Sequence, residues 1–514
     1  MQESPMNATA AASQLCLTDL FLKRVQMHPD KPALSHADRT LSYRELEARV
    51  QRWAAFLQAC GLLRGQRMAV WSENRPEYLE LQLAAARLGV MIACLNWRLQ
   101  GAEQLHCLRL VEPAVVIVSA RYREQLGTLE HGVARVIDLD SPDASEESTR
   151  ALEDRDFLRP EVHPEDGFLI LYTSGTTGLP KGAVISQRAS IARAMAYACE
   201  YGIGAEDGFI AWSPFFHMAA TDHSLATLML GGHVIVQDGF SASEICKTLE
   251  RERIGWLMAM PGVIEPLINA LKSASPFLAP RMGMVGAMAD LVPCQQIAEL
   301  TSLVGAPYLN SFGSTETGLA PASGALLKAG QVPESLSKRE SSWCHVRLVD
   351  DDNQDVPIGT PGNMLVRGPG LFSGYWSNGR IESAELADGW FHLGDVFVRH
   401  ADGSLDFVDR SKYLIKTGGE NVYPAEIERV LLAHPDVIEA AVVRRSDDRW
   451  GEVPVAFVAL KGESRPLDFL QAYCREHLAG YKVPKEFRVI SAAAFPRNST
   501  GKIQKRQVEA LLRS

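Results

Sequence analysis

Hydrophobic positions in the first 260 residues follow two alternating patterns. Stretches with an apolar residue every three or four positions read as amphipathic helices. Short unbroken apolar runs read as buried strands. Ser42, with Glu45 three positions on, forms a capping box that opens a helix running to about Cys60. Arg67–Ser72 is then expected as a strand, Arg75–Gly89 as a helix, and Val90–Leu95 as a buried strand. A helix near Ala102–Leu110 and a strand at Ala114–Ser119 follow. The alternation continues as far as Leu257–Met260, which predicts βαβ units and parallel sheets covered by helices.

After Gly318 the pattern changes. Short strand-like segments such as Val346–Val349 and Met364–Val366 sit between Gly, Pro and Asp turns. From Ser411 a compact α+β pattern appears. It has a helix at Ala425–Leu432, strands at Val437–Val443 and Val455–Leu460, a helix near Leu467–Leu478, a strand at Phe487–Ile490 and a last helix after Ile503. The expected fold is α/β. A large N-terminal domain, 1–410, holds two αβα-type subdomains (roughly 15–150 and 165–325) and a β-rich subdomain (326–409), and a small α+β domain, 411–514, follows. The acidic, Ser-rich stretch 140–165 reads as a linker, and the small polar residues of the first 14 are expected to fray.

Composition narrows the class. With 514 residues, 46% hydrophobic and 22% charged, the chain is neither disordered nor a single core. Its net charge of -10 argues against a general nucleic-acid binder. The charge is uneven: residues 411–514 hold 17 Lys and Arg against 13 Asp and Glu, and residues 1–410 hold 35 against 49. No run of 18 apolar residues predicts a transmembrane helix. The nine cysteines are scattered with no C-x-x-C pair, which disfavours a zinc ribbon and fits free thiols in a reducing compartment. Together with an N-terminus whose first basic residue is Lys23, this leads us to expect a cytoplasmic protein without a membrane segment.

The segment Leu169–Gly182 carries the clearest chemistry. An apolar run ends in Thr173-Ser174-Gly175-Thr176-Thr177-Gly178, then Lys181 and Gly182 precede a second apolar run, Ala183–Ile185. Glycines let a backbone approach a ligand and offer N–H donors, the hydroxyls add more, and Lys181 adds positive charge. That set suits a polyphosphate. It is not a Walker A loop, because Lys181 lies between Pro180 and Gly182. The plainer alternative is a Gly/Thr-rich hairpin turn.

Tyr172–Gly182 resembles the signature loop of the adenylate-forming enzymes: acyl- and aryl-CoA synthetases, adenylation domains of peptide synthetases, and beetle luciferases. Four further segments are similar to that family's motifs, in its order. They are Asn310–Gly318, Gly389–Asp395 with Val408–Lys412, Leu414–Glu428, and Phe495–Ile503. The resemblance spans roughly residues 15–510.

It implies a set of roles. Phe312 would stack on adenine, with Gly313, Gly286 and Ala287 nearby. Thr315 would touch the α-phosphate, and Glu316 would hold Mg²⁺. Asp395 would accept from both ribose hydroxyls, and Arg410 would contact ribose or phosphate, although Asp-Arg alone reads as a surface ion pair. Lys412 would be the hinge of a mobile C-terminal domain. Lys416, Gly418 and Gly419 would face the pantetheine arm of coenzyme A. Lys502 would bridge the substrate carboxylate and the α-phosphate. His217 would stand at the mouth of an acyl pocket walled by Met218, Ala219, Gly286, Ala287, Gly313 and Ala320. The spacing of His217 and His223 alone could suggest metal ligands, but no third ligand follows convincingly. The absence of a G-x-S-x-G elbow disfavours a serine hydrolase.

The implied activity is ATP- and Mg²⁺-dependent ligation of a hydrophobic monocarboxylic acid, fatty or aryl/alicyclic, to coenzyme A through an acyl-adenylate. Two alternatives stay open: an enzyme that loads a carrier protein's pantetheine arm, and a nucleotide-binding regulator without catalysis. A luciferase-like oxygenase is a remote third. Expected partners are small molecules rather than nucleic acid, with self-association as a homodimer.

Overall fold

The computed structural model describes residues 14–99, 101–141, 160–174, 179–274, 282–410, 413–417, 420–447, 449–461, 467–497 and 503–512. Most of the expected linker, 140–165, and the N-terminal residues up to 13 therefore lie outside the described residues.

Local expectations from hydrophobic spacing hold to within a few residues. The helix Tyr43–Ala59 starts at the predicted capping box: Ser42 N–H donates to Glu45 Oε2 at 2.8 Å, and Glu45 N–H donates to Ser42 Oγ at 3.3 Å. The strand Arg67–Trp71, helix Pro76–Leu88 and strand Met91–Cys94 follow in turn. Pro76 sits at the helix start, where its missing N–H costs nothing, and Gly89 ends the helix in the left-handed region at φ 65°.

Every residue of that helix from Tyr78 to Leu88 is buried. It packs against strands of two different sheets, so no face meets water. Its buried charged and amide side chains each have a partner. Glu80 accepts from Arg49 and from Trp53 Nε1, Gln82 donates to Thr221 Oγ1, and Arg87 donates to Glu47. Burial without those partners would cost several kcal/mol per charge.

Two eight-stranded sheets form the body. One runs, by residue range, 380–382, 374–377, 180–186, 167–174, 91–94, 67–71, 115–118, 136–138. The other runs 326–327, 308–309, 282–285, 254–257, 208–211, 233–236, 32–36, 39–42. Their central strands are parallel, as the βαβ pattern predicts. The chain order within them departs from the expected contiguous subdomains. The first sheet gathers strands from 67–138, 167–186 and 374–382, and the second begins with 32–42 before resuming at 208. Hydrophobic periodicity reports which residues are strands but not which strands pair, and that pairing is long-range.

An antiparallel sheet of His345–Val349, Pro361–Arg367, Phe391–Arg399 and Leu405–Arg410 forms the β-rich part. The C-terminal segment has its own sheet, built on the Val437–Asp447/Gly451–Leu460 hairpin, with its own core around Ile415, Ile427, Val442 and Val458. All nine cysteines are free thiols. Among the described residues, no helix is long and apolar enough to cross a membrane.

Candidate active site

The two apolar runs flanking the Gly/Thr-rich segment are strands Gly167–Ser174 and Pro180–Ser186, paired antiparallel. The hairpin alternative thus holds for the flanking strands, which bring Thr173 and Lys181 together at their ends. Register puts Thr173 directly across from Lys181. Gly175, Thr176, Thr177 and Gly178 lie outside the described residues, and of Ser174 only the strand position is described.

Strand Gly374–Ser377 pairs with the second arm of this hairpin, Tyr375 facing Ala183. The Tyr375 hydroxyl donates to Glu316 Oε1 at 2.7 Å and also hydrogen-bonds the Thr173 side chain. Burial first, and then the Glu316 carboxylate, push the phenol well above its usual range, so it remains a donor. Lys181 Nζ lies 4.6 Å from the Tyr375 ring centroid and 3.5 Å from Glu385 Oε1. Tyr375 therefore joins three predicted ligands that are 143 residues apart at their extremes, Thr173, Lys181 and Glu316.

Glu316 is 8% exposed, and its backbone is fixed from behind. Arg193, from helix Gln187–Tyr201, donates through Nη2 to the carbonyls of Thr315 at 3.0 Å and Glu316 at 3.3 Å. Its Nε reaches the Gly370 carbonyl at 2.9 Å, and its Nη1 reaches Asp222 Oδ2 at 2.8 Å in a buried ion pair. The Arg193 chain passes directly over Gly318, where an added Cβ would lie 2.8 Å from it at φ +71°. Only glycine fits both constraints.

Gly286, at φ +97°, has no room for a Cβ, which would sit 2.2 Å from the Tyr308 ring. The adjoining loop is pinned by Tyr308 Oη to the Ala287 carbonyl at 2.9 Å and by Ala289 N–H to Asn310 Oδ1 at 3.3 Å. Fully buried Lys338 clamps it, with Nζ 2.7 Å from both Asp290 Oδ2 and Asn310 Oδ1. Burial draws the Lys338 pKa down, and Asp290 opposes that shift.

Asp395 and Arg410 are cross-strand partners, with Nε and Oδ1 3.2 Å apart; the carboxylate is buried and the guanidinium is partly exposed. The Phe312 ring packs against Phe397 at 4.9 Å and Phe407 at 5.1 Å, and only 5% of the residue is uncovered. The open stacking platform expected for a purine is thus largely covered by the β-rich sheet. Gly313 pairs with Pro321 in a short ladder, and Ala320 precedes Pro321 through a cis peptide.

His217 caps helix Met218–Leu230, its Nδ1 accepting from Ala219 N–H at 3.3 Å. Burial holds its pKa below the usual histidine range, partly opposed by Asp222. His223, one and a half turns further on, is a core residue: Nδ1 meets the Ala219 carbonyl at 2.6 Å and the ring lies 4.4 Å from Trp256. Its pKa is lowered to about 4 by burial. No group of three or more His, Cys, Asp or Glu among the described residues could hold a metal ion by itself.

Lys416 is exposed on strand Ile415–Thr417. Lys412, Gly418, Gly419 and Lys502 lie outside the described residues. Sequence reasoning missed Tyr375, Arg193 and Lys338. Arg193 had a legible signal: it stands at helical spacing from Ala189, Ser190 and Tyr197, a lone charge on a buried face. Tyr375 and Lys338 lie in short segments that show no periodicity.

Comparison with known proteins shows the family of the chain. The model of the AMP-binding enzyme family matches residues 21–376, and that of the AMP-binding enzyme C-terminal domain matches 426–502. Indoleacetate–CoA ligase of Aromatoleum aromaticum is 34% identical, over 96% of this chain and 98% of its own. Feruloyl-CoA synthase of an Amycolatopsis species is 32% identical, over 95% and 97%. The o-succinylbenzoate CoA synthetase of Bacillus subtilis, solved with its acyl-adenylate intermediate, superposes with a TM-score of 0.83 at 27% identity, covering 97% of this chain and 98% of that one. The same enzyme with ATP and a magnesium ion gives 0.81 at 27% identity, over 95% and 99%. The chain belongs to the AMP-binding enzyme family, among the acyl-CoA synthetases of the adenylate-forming superfamily.

Proposed function

We propose that this protein is an ATP-dependent carboxylic acid–CoA ligase that makes an acyl-adenylate and then an acyl-CoA thioester from a hydrophobic monocarboxylic acid. The observation that carries the reading is the cluster of Thr173, Lys181, Glu316 and Tyr375, set in a chain that aligns end to end with CoA ligases. The names of the two relatives favour an aryl over a fatty substrate.

In the first step the substrate carboxylate attacks the α-phosphorus of ATP and pyrophosphate leaves. Lys181 and the hairpin tip receive the phosphates, and Thr315 faces the α-phosphate. The Glu316 carboxylate, with one oxygen accepting from Tyr375, would offer its other oxygen to Mg²⁺, which when bound neutralises phosphate charge. Asp395, held by Arg410, accepts from the ribose hydroxyls. Gly286, Ala287, Gly313 and the uncovered edge of Phe312 border the base. His217, neutral through burial, stands beside the acyl group with Met218, Ala219 and Ala320. Lys502 completes the charge around the attacking carboxylate.

In the second step the coenzyme A thiol attacks the mixed anhydride and AMP leaves. Positioning matters more than acid–base help, because AMP is a good leaving group. The C-terminal domain turns about Lys412 between steps, exchanging Lys502 for the face bearing Lys416, Gly418 and Gly419. The test is ATP–pyrophosphate exchange with a panel of aryl, alicyclic and fatty acids, followed by thioester formation with free coenzyme A. Exchange without a thioester on free coenzyme A would instead favour carrier-protein loading, and no exchange with any acid would sink the ligase reading.

A further inference from the structure

Lys338 is the one fully buried lysine among the described residues. It lies in a stretch with no helix or strand, joined to Leu405 by an isolated antiparallel bridge. Taking an ammonium out of water is strongly unfavourable unless its donors are met. Here Nζ lies 2.7 Å from Asp290 Oδ2 and 2.7 Å from Asn310 Oδ1, and the main chain exchanges two hydrogen bonds with Leu405, at 2.7 and 2.9 Å. One residue thus ties together segments that are far apart in the sequence. Asp290 lies in the turn Ala289–Leu291 that closes the loop begun at Gly286. Asn310 follows strand Tyr308–Leu309 and stands two positions before Phe312. Leu405 opens strand Leu405–Arg410, whose last residue holds Asp395.

The clamp fixes shape as well as position. An ammonium only donates, so it turns the Asn310 amide with Oδ1 towards itself. Nδ2 then faces the Leu336 carbonyl at 2.7 Å, and Oδ1 also accepts from Ala289 N–H at 3.3 Å. Between Gly286 and Ala289 the chain passes through Met288 at φ 46°, a left-handed conformation that residues other than glycine seldom adopt. Such a loop keeps its course only where its surroundings impose it. Trp256 Nε1 holds the Gly286 carbonyl at 2.8 Å, Tyr308 Oη holds the Ala287 carbonyl at 2.9 Å, and Lys338 holds the far end through Asp290. The residues on the phosphate side are held by a different set. Tyr375 meets Thr173, Lys181 and Glu316, and Arg193 meets the carbonyls of Thr315 and Glu316.

Resting on the ligase reading, we propose that Lys338 is a positioning residue for recognition of the nucleotide base. Being fully covered, it touches no substrate itself. Its ammonium sets the spacing between the Gly286–Ala287 edge and the Phe312–Gly313 edge, so that the slot accepts adenine and refuses guanine. Gly286 and Ala287 also border the acyl group, so the choice between nucleotides, measured with the acid saturating, isolates this role.

The test uses the purified full chain, with Mg²⁺ and an acid it activates both saturating. It compares pyrophosphate exchange with ATP and with GTP, which differ only in the base. The wild type should favour ATP. Lys338→Met should shrink the ATP-over-GTP ratio of kcat/KM about 10-fold, the low end of what a hydrogen bond to a charged group is worth. That ratio is blind to the fraction of enzyme that is folded. An equal loss with both nucleotides, no loss at all, or a wild type that does not discriminate overturns the proposal. Lys338→Met leaves Asp290 unpaired, so Lys338→Met/Asp290→Leu is made as well, because replacing both members of a buried pair costs little stability. The double variant should recover the urea midpoint and keep the shrunken ratio. Recovery of the ratio along with the midpoint would make the role of Lys338 purely structural and overturn the proposal. If the single variant does not fold, the double variant decides. Should no acid support exchange in the wild type, the ligase reading fails separately, and calorimetric affinities for ATP and GTP, compared between wild type and double variant, decide Lys338 by the same ratio.

Discussion

The Tyr375 hydroxyl donates to the Glu316 carboxylate at 2.7 Å while its ring lies under Lys181. One side chain thereby sets the position of an anion and a cation that come from different parts of the chain. The phenol stays protonated because burial and the adjacent carboxylate both raise its pKa.

Tyr375→Phe keeps the ring under Lys181 and removes the bond to Glu316. A hydrogen bond to a charged group contributes about 1.5–3 kcal/mol, so ATP–pyrophosphate exchange should fall roughly 10- to 100-fold. Higher Mg²⁺ should restore part of it if Glu316 placement is what was lost. An unchanged Mg²⁺ dependence and an unchanged rate would show that the hydroxyl positions nothing.

Arg193→Met leaves Asp222 buried without its cation and frees the carbonyls of Thr315 and Glu316. Removing one partner of a buried pair costs about 3–5 kcal/mol. The denaturation midpoint in urea should drop clearly, and exchange activity should fall with it. Arg193→Lys should rescue stability only in part, since an ammonium has three N–H donors for the four oxygens that the guanidinium holds.

Stability should fall in mild acid. The His223 pKa is about 4 in the folded chain against 6.5 for the unperturbed group. Above roughly pH 6.5 the imidazole is neutral in both states and contributes no pH dependence. As pH falls towards 4 the unfolded chain takes up a proton that the native core refuses, so the unfolded state gains by on the order of 3 kcal/mol. His217 shifts in the same direction. Thermal melts at pH 7.5 and 5 should show the drop, and His223→Gln should flatten it.

Lys502→Ala should abolish acyl-adenylate formation and spare thioester formation from supplied acyl-adenylate and coenzyme A. Separate half-reaction assays check this, and equal loss of both would rule out the division of labour between the two faces of the C-terminal domain.

The sequence by itself determined the elements and most of the candidate ligands. The capping box at Ser42 and Glu45, the periodic helices and the apolar strand runs follow from local spacing, which residues near in sequence impose without help. The Gly/Thr-rich segment with Lys181 was legible as a candidate phosphate loop because glycine, hydroxyl and lysine lie within ten consecutive residues. Tertiary structure alone decided what is non-local. It built each large sheet from discontinuous stretches, brought the Tyr375 strand beside the hairpin, and covered most of Phe312 with Phe397 and Phe407. It also closed Lys338 onto Asp290 and Asn310. Pairing across 100 or more residues depends on the summed burial of whole faces, and no local pattern carries that sum.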